Sequence, residues 1–152
     1  MTYTIRRATE KDFPAILAMI RELALYEKAP EKVTNSVEQM RKEKDLFRSF
    51  IVEKADGEPI AMALYFIAYY TWVGKSLYLD DIYVKEPYRS YGIGSALLRK
   101  VFEDARAEGC KRVRWQVLNW NEPAIQVYKR YNAEIDDEWL NCSFDEKAIR
   151  EF

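Results

Sequence analysis

Histidine is missing altogether from the 152 residues of this chain. Its absence excludes a Ser-His-Asp or Cys-His nucleophile system, a histidine proton shuttle and every zinc site that needs imidazole. General acid and base work therefore falls to Asp, Glu, Tyr, Lys, Cys or water. Cysteine is scarce: Cys110 and Cys142 are too few for a disulfide framework or a four-thiolate zinc site, which fits a reducing, cytoplasmic setting and no bound metal. Charge of one sign does not prevail either, because 24 Lys+Arg against 25 Asp+Glu leave a formal −1 and no broad footprint for nucleic acid. No long hydrophobic run occurs. The longest uncharged one, Ile60 to Val73, is shorter than the ~20 residues of a membrane helix and rich in tyrosine and β-formers, so it reads as a buried strand and not a membrane anchor. Met1 to Asp12 mixes charges with single apolar residues and lacks the apolar core of a secretory signal.

What is present describes an ordinary globular chain, with 49% hydrophobic and 32% charged residues. No repeat, low-complexity linker or composition step divides it, so residues 1–152 are read as one domain. Tyr3 and Ile5 alternate like a short strand, and Thr9 with Asp12 offers a helix-starting pair. Phe13, Ile16, Leu17, Ile20, Leu23 and Ala24 then recur at helical spacing as far as Tyr26 or Lys28. A polar helix follows Asn35 or Ser36. Ser49 to Glu53 and Ile60 to Tyr70 are predicted to form a hairpin around Asp56-Gly57, and Leu77 to Val84 a further strand after a turn at Gly74.

Pro87 interrupts, and Arg89-Ser90-Tyr91-Gly92-Ile93-Gly94-Ser95 leads into a second amphipathic run through Leu97, Leu98, Val101, Phe102 and Ala105, stopping near Gly109. Arg112 to Leu118 reads as a strand. Asn121 and Pro123 open another helix that closes at Asn132, and the tail through Ile135, Trp139, Leu140 and Phe144 suggests one or two closing strands before a short terminal helix. The order is mixed α and β around a central sheet.

Strand, glycine turn and helix in succession can surround a phosphate with backbone amides at the positive end of the helix dipole. A dinucleotide fingerprint would need a third glycine where Leu97 stands, and a P-loop ending is missing. Gly92 and Gly94 by themselves are equally consistent with a plain turn. Tyr128 alone reads more readily as a helix tyrosine packed in the core than as a reactive group. Asn121 and Tyr128 are seven residues apart and so lie near one side of a shared helix.

Together, Tyr78-Leu79-Asp80-Asp81-Ile82-Tyr83-Val84, Pro87 to Ser95 and Asn119 to Tyr128 resemble the GNAT superfamily of acetyl-CoA-dependent N-acetyltransferases, whose Arg/Gln-x-x-Gly-x-Gly/Ala signature the loop matches. With Glu22 to Glu27 and Trp72 to Lys75, the chain is most similar to the diamine (spermidine/spermine) and thialysine acetyltransferases. The resemblance implies an α+β, mixed α/β fold: a twisted, mostly antiparallel central sheet with splayed strands 4 and 5 and helices on both faces. Acetyl-CoA is the implied cosubstrate. Matching positions imply cofactor contacts from Ile82, Val84, Arg89, Ser90, Tyr91, Gly92, Ile93, Gly94, Ser95, Asn121 and Tyr128. Tyr128 would be the general acid, a role for which a thiol pKa near ~8.5 suits a phenol.

Asp80 would accept the amine's proton, directly or through water, since its side chain is shorter than the family's usual Glu. Successive strand residues face opposite sides, so Asp80 and Asp81 both reach one amine only across a bulge. The amine pocket implied by the resemblance comprises Tyr26, Glu27, Trp72, Asp80, Asp81 and Trp139, aromatic rings beside carboxylates that suit a cation. The expected reaction is direct acetyl transfer to a primary amine of a small cationic metabolite, a diamine or polyamine first. Tyr70 replaces an acidic residue of the diamine enzymes, which weakens the long-polyamine reading and brings forward a shorter diamine or a lysine-like amino acid such as thialysine. Protein lysine, or a non-catalytic CoA-binding regulatory role, are the other readings. A homodimer is expected by resemblance.

Overall fold

Central strands that are apolar on both faces build one five-stranded sheet, ordered β1-β2-β3-β4-β5. The computed structural model describes residues 1–152 and divides into two units, Met1–Gln116 and Val117–Phe152. The first unit holds β1 (Tyr3–Arg7), α1 (Phe13–Tyr26), α2 (Val37–Lys42), β2 (Arg48–Lys54), β3 (Pro59–Tyr70), β4 (Gly74–Val84), α3 (Ile93–Ala107) and β5 (Val113–Arg114). The second holds α4 (Glu122–Arg130) and α5 (Glu146–Glu151). β1 to β4 are antiparallel neighbours, and β5 joins β4 in parallel.

Both faces of the sheet carry helices. Phe50, Val52, Ala61, Ala63 and Tyr65 pack on Ile93, Leu97, Leu98, Val101 and Ala105 of α3. Ile51, Met62 and Leu64, one residue out of phase, meet Phe13, Ile16, Leu17 and Met19 of α1 and Met40 of α2. Met19, fully buried, belongs to this stripe although it lies outside the expected set. Each fully buried Leu or Ile contributes about 1.5–3 kcal/mol, so the two clusters anchor the sheet on either side. On the α3 side, the Tyr65 hydroxyl donates to Asp104 at 2.6 Å and accepts from Arg7 at 3.0 Å, and Arg48 bridges Asp104 and Glu108.

Three expected boundaries differ. β4 begins at Gly74 because the turn residues pair directly, Tyr70 with Gly74. The strand read over 112–118 shortens to Val113–Arg114, since β5 pairs with β4 only at Leu77 and Tyr78 and then departs. No closing strand forms in the tail, where residues 133–145 are irregular. Alternation there lacks a partner edge, and alternation without a partner does not make a strand.

Candidate active site

The pairing of β3 with β4 slips by one residue at the site where acidic side chains are concentrated. Leu64 lies opposite Asp81 whereas Tyr65 lies opposite Leu79, which leaves Asp80 as the additional residue of a β-bulge. In a regular strand Asp80 and Asp81 would point to opposite faces, and the bulge removes that constraint. Leu64 packs with α1, so Asp81 shares the α1 face. Glu27, which ends α1, approaches the same place.

Burial raises the Glu27 carboxyl, and the Asp80 charge adds to the shift. Burial also raises Asp81, to about 7, with Asp80 and Glu27 as the further causes. Asp80 opens to solvent, yet desolvation by its surroundings raises its carboxyl too. Three carboxyl groups that oppose one another's ionisation form a site in which a cation is favoured. Glu27, Asp80 and Asp81 are thus brought together.

Lys85 donates its amide to Ile60 at 2.9 Å, one step beyond the Ala61–Val84 rung. Bonded and non-bonded rungs alternate in an antiparallel pair. Asp81 and Tyr83 therefore turn their main chain toward β3, and Ile82 and Val84 turn theirs to the opposite edge, along which β5 pairs only at Leu77 and Tyr78. In keeping with that direction, the Val84 carbonyl accepts from Arg89 Nε at 2.9 Å, with the guanidinium 5.5 Å from the Tyr83 ring centre.

After Arg89 the chain turns sharply through Ser90 (φ 72°), exposed Tyr91 and Gly92 (φ 77°) into α3. Gly92 caps the helix without a side-chain bond, and the first intrahelical bond runs from Ala96 to Gly92 at 3.0 Å. The Ile93 and Gly94 amides precede that ladder at the positive end of a helix that continues through Ser95, a geometry suited to a phosphate. The Ile93 side chain is in the core, so only its backbone is available for such contact. A Cβ on Gly94 would meet nothing closer than Val84 Cγ2 at 3.9 Å, so the fold itself does not require glycine there.

In the second unit, Asn121 Oδ1 accepts from the Ala124 amide at 3.4 Å and caps α4, with Pro123 in the first turn. Tyr128 is half-buried on α4, whose end is marked by Asn132 at φ 61°. Trp139 is 66% exposed and its indole N–H donates to Asp136 at 3.0 Å. In the first unit, Tyr26 occupies the last turn of α1, adjacent to Glu27. Trp72 stands in the β3–β4 turn, 84% exposed. At ~3.3 Å per residue it lies roughly 20 Å along the strand from Asp80, so it does not join the carboxyl cluster within this unit.

One grouping escaped sequence reasoning: Arg112 and Arg114 both lie over the Tyr70 ring, at 4.7 and 5.2 Å. Their spacing of two in a strand was the available signal, since such residues share a face.

A sheet splayed between its fourth and fifth strands, a bulge lined with carboxyls and an uncapped helix after a glycine turn define an acyltransferase architecture. Residues 6–132 match the model of the acetyltransferase (GNAT) family, and the chain belongs to that family; it is an N-acetyltransferase. Thialysine N-epsilon-acetyltransferase of Sus scrofa is 42% identical over 161 residues, covering 97% of this chain and 95% of that protein. Spermidine/spermine N(1)-acetyltransferase-like protein 1 of Homo sapiens is 30% identical over 141 residues, covering 86% of this chain but 20% of that protein. In fold, a protein of Clostridium acetobutylicum described as a predicted acetyltransferase and solved with acetyl-CoA superimposes with a TM-score of 0.78 at 20% identity, over 93% of this chain and 96% of that one.

Proposed function

We propose that this enzyme transfers acetyl from acetyl-CoA to the terminal primary amine of a small cationic metabolite, with a lysine-like amino acid such as thialysine ahead of a diamine or polyamine. The observation that carries this reading is the bulge at Asp80, which allows two carboxyls of one strand to serve one amine beside a free strand edge. The Sus scrofa thialysine enzyme, matched over nearly its whole length, favours the amino acid, and so does Tyr70, which supplies no charge for a second ammonium. The acidic cluster and the human spermidine/spermine relative keep the diamine as the second reading.

Acetyl-CoA, when bound, supplies an activated thioester. The uncapped start of α3 and the open space at Gly94 fit its pyrophosphate, with Arg89, Ser90, Tyr91, Gly92, Ile93, Gly94 and Ser95 as the holding segment. Ile82 and Val84 would hold the pantetheine arm through the outward main chain of β4, and Asn121 would line the same channel with its amide nitrogen, its oxygen being the helix cap.

An alkylammonium with a pKa near ~10 must lose a proton before it attacks. Asp80 and Asp81 take that proton, directly or through water. A carboxyl raised to about 7 is a stronger base than an ordinary one, which suits Asp81 to the task with Asp80 beside it. Glu27, Tyr26 and Trp139 are the remaining residues assigned to the amine, and Tyr128 Oη would donate a proton to the departing sulfur. A homodimer is part of the proposal, checked by a sizing experiment in which a monomer would refute it.

The test is release of CoA thiol from acetyl-CoA across putrescine, spermidine, spermine, lysine, thialysine and a lysine peptide, with product mass to confirm acetylation. Saturable release with lysine or thialysine supports the reading. Release confined to the di- and polyamines would hand it to the second reading, and no release above the hydrolysis blank would refute both.

A further inference from the structure

The α1 face of β3 and β4 extends beyond α1 toward the hairpin turn. Phe66 and Tyr78 lie opposite each other there and stack at 5.2 Å, both half-buried. Arg114 of β5 is in register with Tyr78, which places Arg114, and Arg112 two residues before it, on the same face. Both guanidinium groups converge on the Tyr70 ring, whose residue pairs with Gly74 at the end of β3. Two cations over one ring repel each other. No carboxylate of the chain forms an ion pair with either, and Arg112 Nε is buried without a hydrogen-bond partner.

This pair of cations stands at one end of an aromatic floor, and the Asp80–Asp81 bulge stands at the other. The Arg114 rung, at Phe66 and Tyr78, and the Asp81 rung, at Leu64, are two residues apart along β3, about 7 Å at ~3.3 Å per residue. Tyr78 lies between the ends along β4, before Asp81 and after Gly74, the partner of Tyr70. A diamine carries the same charge at both ends and would meet repulsion at the arginines. An amino acid with a terminal amine on its side chain carries opposite charges, matched to the two ends.

We infer that Arg114, with Arg112 beside it on Tyr70, binds the carboxylate of the acetyl acceptor while the bulge carboxyls hold its distal amine. This inference rests on the acetyl-transfer reading above and adds the groups that set its specificity. Arginine suits the task because its planar fork takes a carboxylate in two hydrogen bonds. An internal lysine of a protein has no such carboxylate and is disfavoured on the same ground.

The test compares kcat and KM, by thiol release, for thialysine, lysine, lysine methyl ester and cadaverine in the wild type, Arg114→Gln and Arg112→Gln. The methyl ester keeps both amines and removes only the negative charge. The wild type should prefer the free acids over the ester and over cadaverine. In Arg114→Gln that preference should fall by about 10- to 100-fold, the range of one charge-assisted hydrogen bond, with the loss in KM for the acids. Arg112→Gln should move the ratio in the same direction, so the inference does not depend on one variant folding. A wild type indifferent to the carboxylate, or variants that lose all four substrates in equal proportion, would overturn it. A free amino acid and a peptide ending in lysine dock the same group, and comparing the two distinguishes the sources. Turnover of either supports the inference when it falls with Arg114→Gln, and equal turnover of a peptide with internal lysine overturns it. Failure of every amine, by contrast, would remove the acetyl-transfer reading itself.

Discussion

Replacing Asp81 by Asn should stabilise the protein and impair it at once. The Asp81 carboxyl is raised to about 7, first by burial and then by Asp80 and Glu27. Against an ordinary carboxylate near ~4, that is ~3 units, each worth ~1.4 kcal/mol, so ionising Asp81 costs the fold at most roughly 4 kcal/mol. Water reaches this half-buried side chain, so we expect about 1–3 kcal/mol. Because the folded-state value is the raised one, the stability that goes with a neutral Asp81 is fully present below pH ~4 and is lost progressively as pH rises from there through about 7. Asn has nearly the same shape and never ionises. Urea unfolding at pH 8 should therefore show Asp81→Asn more stable than the wild type, with Tm higher by ~2–4 °C per kcal/mol for a chain this long. At pH 4.5 most of the difference should be gone. Carboxyls outside the Glu27–Asp80–Asp81 cluster titrate alike in both proteins and cancel in the comparison. Turnover should fall at pH 8, since an amide accepts no proton from the amine. A stability difference of equal size at both pH values, or a less stable variant at pH 8, would refute the argument that burial strains this charge.

The free enzyme's kcat/KM should rise with pH through an acid limb near 7, and Asp81→Asn should displace or erase that limb; an unchanged profile would remove Asp81 from the proton path. Tyr128→Phe should lose most of kcat while binding acetyl-CoA as before, and unchanged turnover would remove its role as acid. Gly94→Ala should stabilise α3 by about 0.5–1 kcal/mol, since its Cβ meets only Val84 at 3.9 Å. Calorimetry should nevertheless show weaker acetyl-CoA binding, and undiminished binding would place the cofactor elsewhere. Tyr65→Phe should cost about 1–2 kcal/mol in urea with kcat preserved. It removes the hydroxyl shared by Asp104 and Arg7 on the α3 side of the sheet, and a large loss of kcat would contradict that purely structural assignment.

Local signals made most of the fold legible. Phe13, Ile16 and Leu17 declare α1 by spacing alone, as Leu97, Leu98 and Val101 declare α3. Asn121 with Pro123 and Asn132 marks both ends of α4, because capping and left-handed termination depend on the residue itself. Where the reading failed, a partner decided the outcome. Residues 115–118 alternate as well as Val113–Arg114 do, yet β4 accepts only the first rungs, and the tail finds no edge at all. Tyr65, fully buried in the middle of a strand, is tolerable only because Arg7, on the first strand, donates to its hydroxyl and Asp104, on α3, accepts from it; each is distant in sequence.

The same distinction runs through the candidate site. A glycine turn before a helix can be seen in a string of letters, and so can the fact that two adjacent aspartates ought to point apart. What overrides that expectation is register, a property of two strands together: Leu64 meets Asp81, Tyr65 meets Leu79, and Asp80 is left over. The extra residue falls near Glu27 at the end of α1, where burial raises all three carboxyls and their mutual repulsion adds at Glu27 and Asp81. The rungs that follow turn Asp81 and Tyr83 toward β3 and Ile82 and Val84 toward the open edge, so the amine's proton acceptors and the cofactor's backbone contacts share one short stretch of β4. Deleting Asp80 leaves Asp81 opposite Leu64 and Val84 opposite Ala61, so it should damage amine turnover while acetyl-CoA affinity survives. Loss of cofactor affinity in a folded deletion variant would show that the bulge supports the open edge as well.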